Sequence, residues 1–98
     1  GGYVDFEVLK AEAGDWLAVM SSSPETIPSR SQGIYVGTSS DGLSWNVQTN
    51  NLAPAEKSYL DPTGVAIGPN QWQLVLSESE SVLGDRDYTL VHTTLALA

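Results

Sequence analysis

Apolar residues in this chain recur at every second position over short runs that stop at Gly, Pro, Asn, Asp or Ser. Such alternation puts one set of side chains on one face of an extended strand, whereas a helix repeats its apolar positions at three and four residues. Seven runs fit the strand pattern: YVDFEVL (3–9), DWLAVMS (15–21), GIYVGTS (33–39), SWNVQT (44–49), TGVAIG (63–68), QWQLVLS (71–77) and YTLVHTT (88–94). KAEAGD and APAEKS are too short for more than a single helical turn. The chain reads as all-β.

The runs repeat. Trp16 heads WLAVMS and Trp72 heads WQLVLS, 56 residues apart (72 − 16), and Asp5 and Asp61 share that spacing (61 − 5). YVGTS (35–39) lines up by letters with LVHTT (90–94) at a spacing of 55 (90 − 35), which predicts one deletion in the loop between. Each unit then reads as an Asp-opened strand, a Gly turn, a Trp-led strand, a polar loop and a third strand. Repeat 1 spans about 3–58 and repeat 2 about 59–98, within a single module of residues 1–98. The first repeat continues into SSDGLSW and a fourth strand, and the second stops where that hairpin would begin. A unit of ~50 residues with four short strands has the size of one propeller blade.

SSDGLSW (39–45) explains itself locally. Asp-Gly between alternating strands is a strong hairpin signal, because Gly accepts a positive φ freely and Asp tolerates one. Ser39, Ser40 and the Asp41 carboxylate can take up turn amides, and Trp45 can lie back over the turn.

This hairpin resembles the Asp box of sialidase-type propellers, without the residue that box carries between Asp and Gly. With GIYVGTS before it, the stretch is more similar to the third-to-fourth-strand hairpin of five-bladed glycosidase propellers, the group of arabinanases, xylosidases, invertases and glycan phosphorylases. DPTGVAIGPNQWQLVLS (61–77) is similar to their inner strand and the strand after it. The likeness covers nearly the whole chain as about two blades. It implies that an Asp near the start of each inner strand faces a central funnel, as general base in one blade and as a tuning group in another. Asp61 matches that position, and Asp5 matches with Phe6 in place of the following Pro. The family's general acid, a Glu from a further blade, has no equivalent; Glu78 and Glu80 read as a solvated loop. Asp61 and Asp5 are therefore the candidate catalytic residues, against the plain reading of turn residues capping a strand.

Trp16, Trp72 and His92 are candidate ligand contacts, since an apolar sugar face packs on indole. The equivalent positions of the two Trp residues equally suit packing between units. His92 is the sole histidine, without Cys or clustered carboxylates around it, so no metal and no cofactor is expected. In GDRDY (84–88), Asp85 and Asp87 could hold calcium, but EF-hand spacing is absent and an Arg-flanked turn is the simpler reading.

Composition narrows the partners. Twelve acidic residues face four basic ones, a net charge of −8 that repels phosphate backbones and anionic lipid, so neither nucleic acid nor a membrane surface is an expected partner. No apolar run approaches the ~18 residues of a membrane span, and GGYVDFEVLK lacks the basic end and apolar stretch of a signal peptide. There is no Cys, hence no disulfide framework.

A blade is a sheet with two faces. Two blades bury one shared interface and leave two apolar faces to water, more than a monomer usually exposes. The expected architecture is two tandem four-stranded propeller-type blades, the second lacking its outer strand, that belong to a larger propeller or assemble head to tail as a homo-oligomer. Three copies would close a six-bladed ring. The alternative is a self-contained seven-stranded β-sandwich. The expected function is a carbohydrate-handling module with its ligand at the funnel mouth, either glycan-binding or part of a glycoside hydrolase completed by other blades or chains. The alternative is a non-catalytic structural or protein-interaction propeller module.

Overall fold

The computed structural model describes residues 2–23, 25–26, 29–54, 56–80 and 88–97. Among the described residues it holds nine strands and no helix. They are β1 (Tyr3–Glu12), β2 (Asp15–Ser22), β3 (Glu25–Thr26), β4 (Ser29–Arg30), β5 (Ile34–Ser39), β6 (Asn46–Val47), β7 (Ser58–Gly68), β8 (Gln71–Ser79) and β9 (Tyr88–Ala96). All seven predicted runs contain a strand. The pattern missed only the two-residue ladder of β3 with β4.

Two antiparallel sheets result, β1-β2-β5-β6 and β7-β8-β9, each in chain order with no strand exchanged between them. Their registers coincide up to the second irregularity of the first strands, beyond which they differ by one residue, Ala11 facing Trp16 but Ala66 facing Trp72. Tyr3 faces Ser22 and Tyr59 faces Glu78; Val4 faces Ser21 and Leu60 faces Ser77; Val8 faces Ala18 and Gly64 faces Leu74. On the other side, Met20 faces Tyr35 and Leu76 faces Val91, while Trp16 faces Ser39 and Trp72 faces Leu95. Every one of these pairs recurs at a spacing of 56, so the deletion expected from the 55-residue letter match is absent (91 − 35 = 56). Hydrogen-bond register, not the shared Gly/Thr/Ser lettering, fixes the equivalence.

Both first strands carry a bulge at the same place, between Val4 and Glu7 and between Leu60 and Thr63. A bulge sets two residues against one and breaks the two-residue alternation. That is why the sequence pattern started the seventh strand only at Thr63, although β7 begins at Ser58. Asp5 and Asp61 therefore lie inside their strands rather than opening them.

One face of each sheet makes the shared core. Leu17 and Val19 of β2 with Ile34 and Val36 of β5 pack on Tyr59, Trp72, Leu74 and Leu76 of the second sheet. The approach is close at Gly64, where an added Cβ would stand 2.6 Å from Leu9 Cδ2 and 2.8 Å from Leu74 Cδ2. Buried Gln32 ties the sheets: its amide donates to Ser58 Oγ (2.8 Å), its carbonyl accepts from the Tyr59 amide (2.8 Å) and its Nε2 donates to the Ser22 carbonyl (2.9 Å). Among the described residues no helix is long and apolar enough to cross a membrane.

The hairpin after β5 has the bonding expected of it. Ser39 Oγ accepts from the amides of Asp41 (3.2 Å) and Gly42 (2.9 Å), and Asp41 Oδ1 accepts from those of Leu43 (2.8 Å) and Ser44 (3.0 Å). Those amides hold the Asp41 carboxyl below its ordinary pKa, with the Ser39 hydroxyl helping. Gly42 takes φ +78° where an added Cβ would stand 3.1 Å from the Trp16 ring, and Trp45 Nε1 donates back to the Gly42 carbonyl (3.2 Å).

Candidate functional site

The packing of β1 on β7 brings the two bulges side by side. Both aspartates adopt a left-handed backbone there, φ +53° at Asp5 and +50° at Asp61. Among non-glycine residues only Asp and Asn enter this region readily, and each such residue stores strain that its surroundings must sustain. Asn70, in the turn after β7, is the third such residue among those described. The Asp5–Asp61 coincidence is not a turn effect, because both lie within strands.

The geometry couples the two acids. The Asp61 amide donates to Asp5 Oδ2 (3.3 Å). Loss of hydration raises the Asp61 pKa above its ordinary value, and the Asp5 charge raises it further. Beside them the Gly64 amide donates to Glu7 Oε2 (3.3 Å), so a third carboxylate is pinned across the same junction. Ser21, which faces Val4 one residue before Asp5, is fully buried, and its hydroxyl has no hydrogen-bond partner among the described residues. Two exposed carboxyls at one junction, one of them with a raised pKa, can accept hydroxyl donors and give a proton back.

The candidate ligand contacts do not gather here. Trp72 faces Ala66 and Leu95 inside the shared core, its indole buried against the first sheet. Trp16 is half-buried under Gly42. Both lie five residues along their strands from Ser21 and Ser77, the partners of Val4 and Leu60 beside the acids. His92 is exposed on β9, where Gln73 Nε2 lies 3.1 Å from its Nδ1. Asp85 and Asp87 lie outside the described residues, and among those described no three His, Cys, Asp or Glu side chains form a metal-binding group.

Glu78 departs from the solvated-loop expectation. It is in β8, where the Tyr59 hydroxyl (2.8 Å) and Lys57 Nζ (3.3 Å) both donate to it, and Lys57 also reaches Glu80 (3.0 Å). The Tyr59 bond and then the lysine lower the Glu78 pKa. This cluster edges an apolar concavity of about 540 Å³ between Leu52–Pro54 and β9, which Asp5 and Asp61 do not line. Sequence reasoning missed Glu7, whose signal was its position two residues after Asp5. It missed Tyr59–Glu78 as well, since that pair forms only once β7 and β8 are in register.

Comparison with protein-family models, with curated proteins and with solved structures returned no match.

Proposed function

We propose that this chain is a carbohydrate-handling module of propeller type, with two blade-like units and a ligand at the Asp5–Asp61 edge. One observation carries the reading. Two repeat-equivalent aspartates, both in a costly left-handed conformation, meet where the first strands of the two sheets pack, the Asp61 amide bonded to the Asp5 carboxylate. Strain and a shifted carboxyl pKa at one exposed spot favour function over packing. The in-order sheets, with no strand exchanged, favour tandem units over a Greek-key sandwich. Sugar hydroxyls suit the site because each can donate to a carboxylate and accept from a carboxyl.

The pair does not form a hydrolytic set by itself. Glycosidases hold their two carboxyls about 5–5.5 Å apart for retention or about 6.5–9.5 Å for inversion, with substrate between. Here the Asp5 carboxylate is instead bonded to the Asp61 backbone amide (3.3 Å). A hydrolase built on this module takes its second acid from another unit, and glycan binding is the activity assigned to the chain alone. A non-catalytic interaction module is the second reading, favoured by the apolar outer faces of the sheets.

Calorimetric titration with arabino-, xylo- and fructo-oligosaccharides tests the site, using Asp61→Asn and Asp5→Asn, which tolerate the left-handed backbone. At least one glycan class is expected to bind, with affinity falling tenfold or more in either variant at unchanged circular dichroism. Binding unaffected by both replacements, or no binding by the native sequence, overturns the proposal.

A further inference from the structure

The 56-residue equivalence maps the two outer faces onto the two halves of the interface already inside the chain. The first sheet's inner face (Leu17, Val19, Ile34, Val36) corresponds to Gln73, Val75, Leu90 and His92 on the second sheet's outer face. Val19 is 0% exposed and Val75 39%; Ile34 is 2% exposed and Leu90 73%. In the other direction, the second sheet's inner face (Tyr59, Trp72, Leu74, Leu76) corresponds to Tyr3, Trp16, Ala18 and Met20 on the first sheet's outer face, where Ala18 and Met20 are already covered within the chain and the strand β1 side stays open. Tyr3, Phe6 and Val8 are exposed there, around the edge-to-face contacts of Tyr3 with Tyr35 (5.6 Å) and of Phe6 with Trp45 (4.9 Å).

Neither outer face carries an Asp, Glu, Lys or Arg at its paired register positions, in a chain with sixteen such residues. Gln73 and His92, the polar replacements of Leu17 and Val36, lie within hydrogen-bond distance of each other, so burial would not orphan them. One end of the chain thus presents the donor half of its internal interface, and the other end presents the acceptor half.

We infer that the occupant of each outer face is a second copy of this chain, docked head to tail so that its first sheet covers the second sheet of its neighbour. The junction repeats the internal one and completes the acid site: the Asp61 carboxylate takes the role that Asp5 plays inside the chain, accepting from the Asp5 amide of the next copy. Thr63, at the position of Glu7, faces the Val8 amide of that copy. A contact of this kind is heterologous and closes into a ring when the rotation permits. The inference rests on reading the two sheets as repeat units, and gives the proposed ligand site one aspartate pair per junction.

Light scattering on the full chain tests it with two exposed-site variants, Val8→Glu to block the first outer face and Leu90→Glu to block the second. The native chain is expected at a discrete mass of two or more chains and each variant at one chain. A one-to-one mixture is expected to form a heterodimer, since one intact face remains on each partner. A monomeric native chain up to its solubility limit overturns the inference, as does a variant that keeps the native mass. Val8→Ser and Leu90→Ser serve where a charged variant fails to fold. A monomeric native chain that still loses glycan affinity on Asp61→Asn sinks the junction and leaves the ligand site standing.

Discussion

The two sheets share a bulge, a strained aspartate and a Trp-led second strand, yet their first and third strands are buried in opposite senses. Tyr3 is 49% exposed while its counterpart Tyr59 is 7%. Phe6 is exposed while Pro62 is buried. The same letters at the same register positions thus carry different energies, because burial comes from the neighbouring sheet and not from the strand that bears the side chain. Hydrophobic stabilisation scales with area removed from water, so a repeat unit is stabilised on the side where another unit stands.

The sharpest way to break this comparison is to truncate equivalent residues. Ile34→Ala is expected to cost about 2–5 kcal/mol, as a large core side chain replaced by a small one does. Leu90→Ala, at the matching position on the open face, is expected within roughly 0.5 kcal/mol. Urea denaturation, below any concentration at which chains associate, measures both. Similar costs would mean that Leu90 is covered within the single chain.

A smaller effect separates the Trp-led strands. Trp16 is covered by its own hairpin, and Trp72 by the other sheet. Gly42→Ala puts a Cβ 3.1 Å from the Trp16 ring at φ +78°. A non-glycine residue held left-handed costs about 1–2 kcal/mol, so thermal unfolding should show a loss of that size. An unchanged midpoint would show that the hairpin does not pin Trp16.

The two kinds of aspartate give the smallest effect, in opposite directions. Asp41, with its pKa lowered by turn amides, contributes stability present above the ordinary carboxylate range and lost as pH falls through its folded value. Asp61, with its pKa raised, binds its proton more tightly folded than unfolded, so its contribution is present at low pH and lost as pH rises from the ordinary range through its folded value. Asp41→Asn should therefore flatten an acid-side loss of stability, and Asp61→Asn a loss on the rising side. Denaturation midpoints across that range check the signs.

Much of this was legible in the sequence. Seven runs were read as strands because period-two alternation and turn residues are local signals, and the SSDGLSW hairpin was readable because each of its bonds spans three residues or fewer. Asp5 and Asp61 could be paired as equivalents through their common spacing. Their left-handed backbone could not be read, because a bulge leaves no local mark beyond broken alternation. The third strand was aligned one residue off, since matching letters followed Gly, Thr and Ser instead of the pairing partners. Which Val would be buried was also hidden: Val19 and Val75 sit in near-identical runs, and only the stacking of sheets distinguishes them.

Carboxyl carbon chemical shifts of Asp5 and Asp61, followed by NMR as a function of pH, address the aspartate junction most directly. Asp61 is expected to titrate above the ordinary carboxylate range, and to move back toward it when Asp5 is replaced by Asn. An Asp61 that titrates normally, with a curve indifferent to Asp5→Asn, would contradict the claim that the stacked repeats join these two acids into one site.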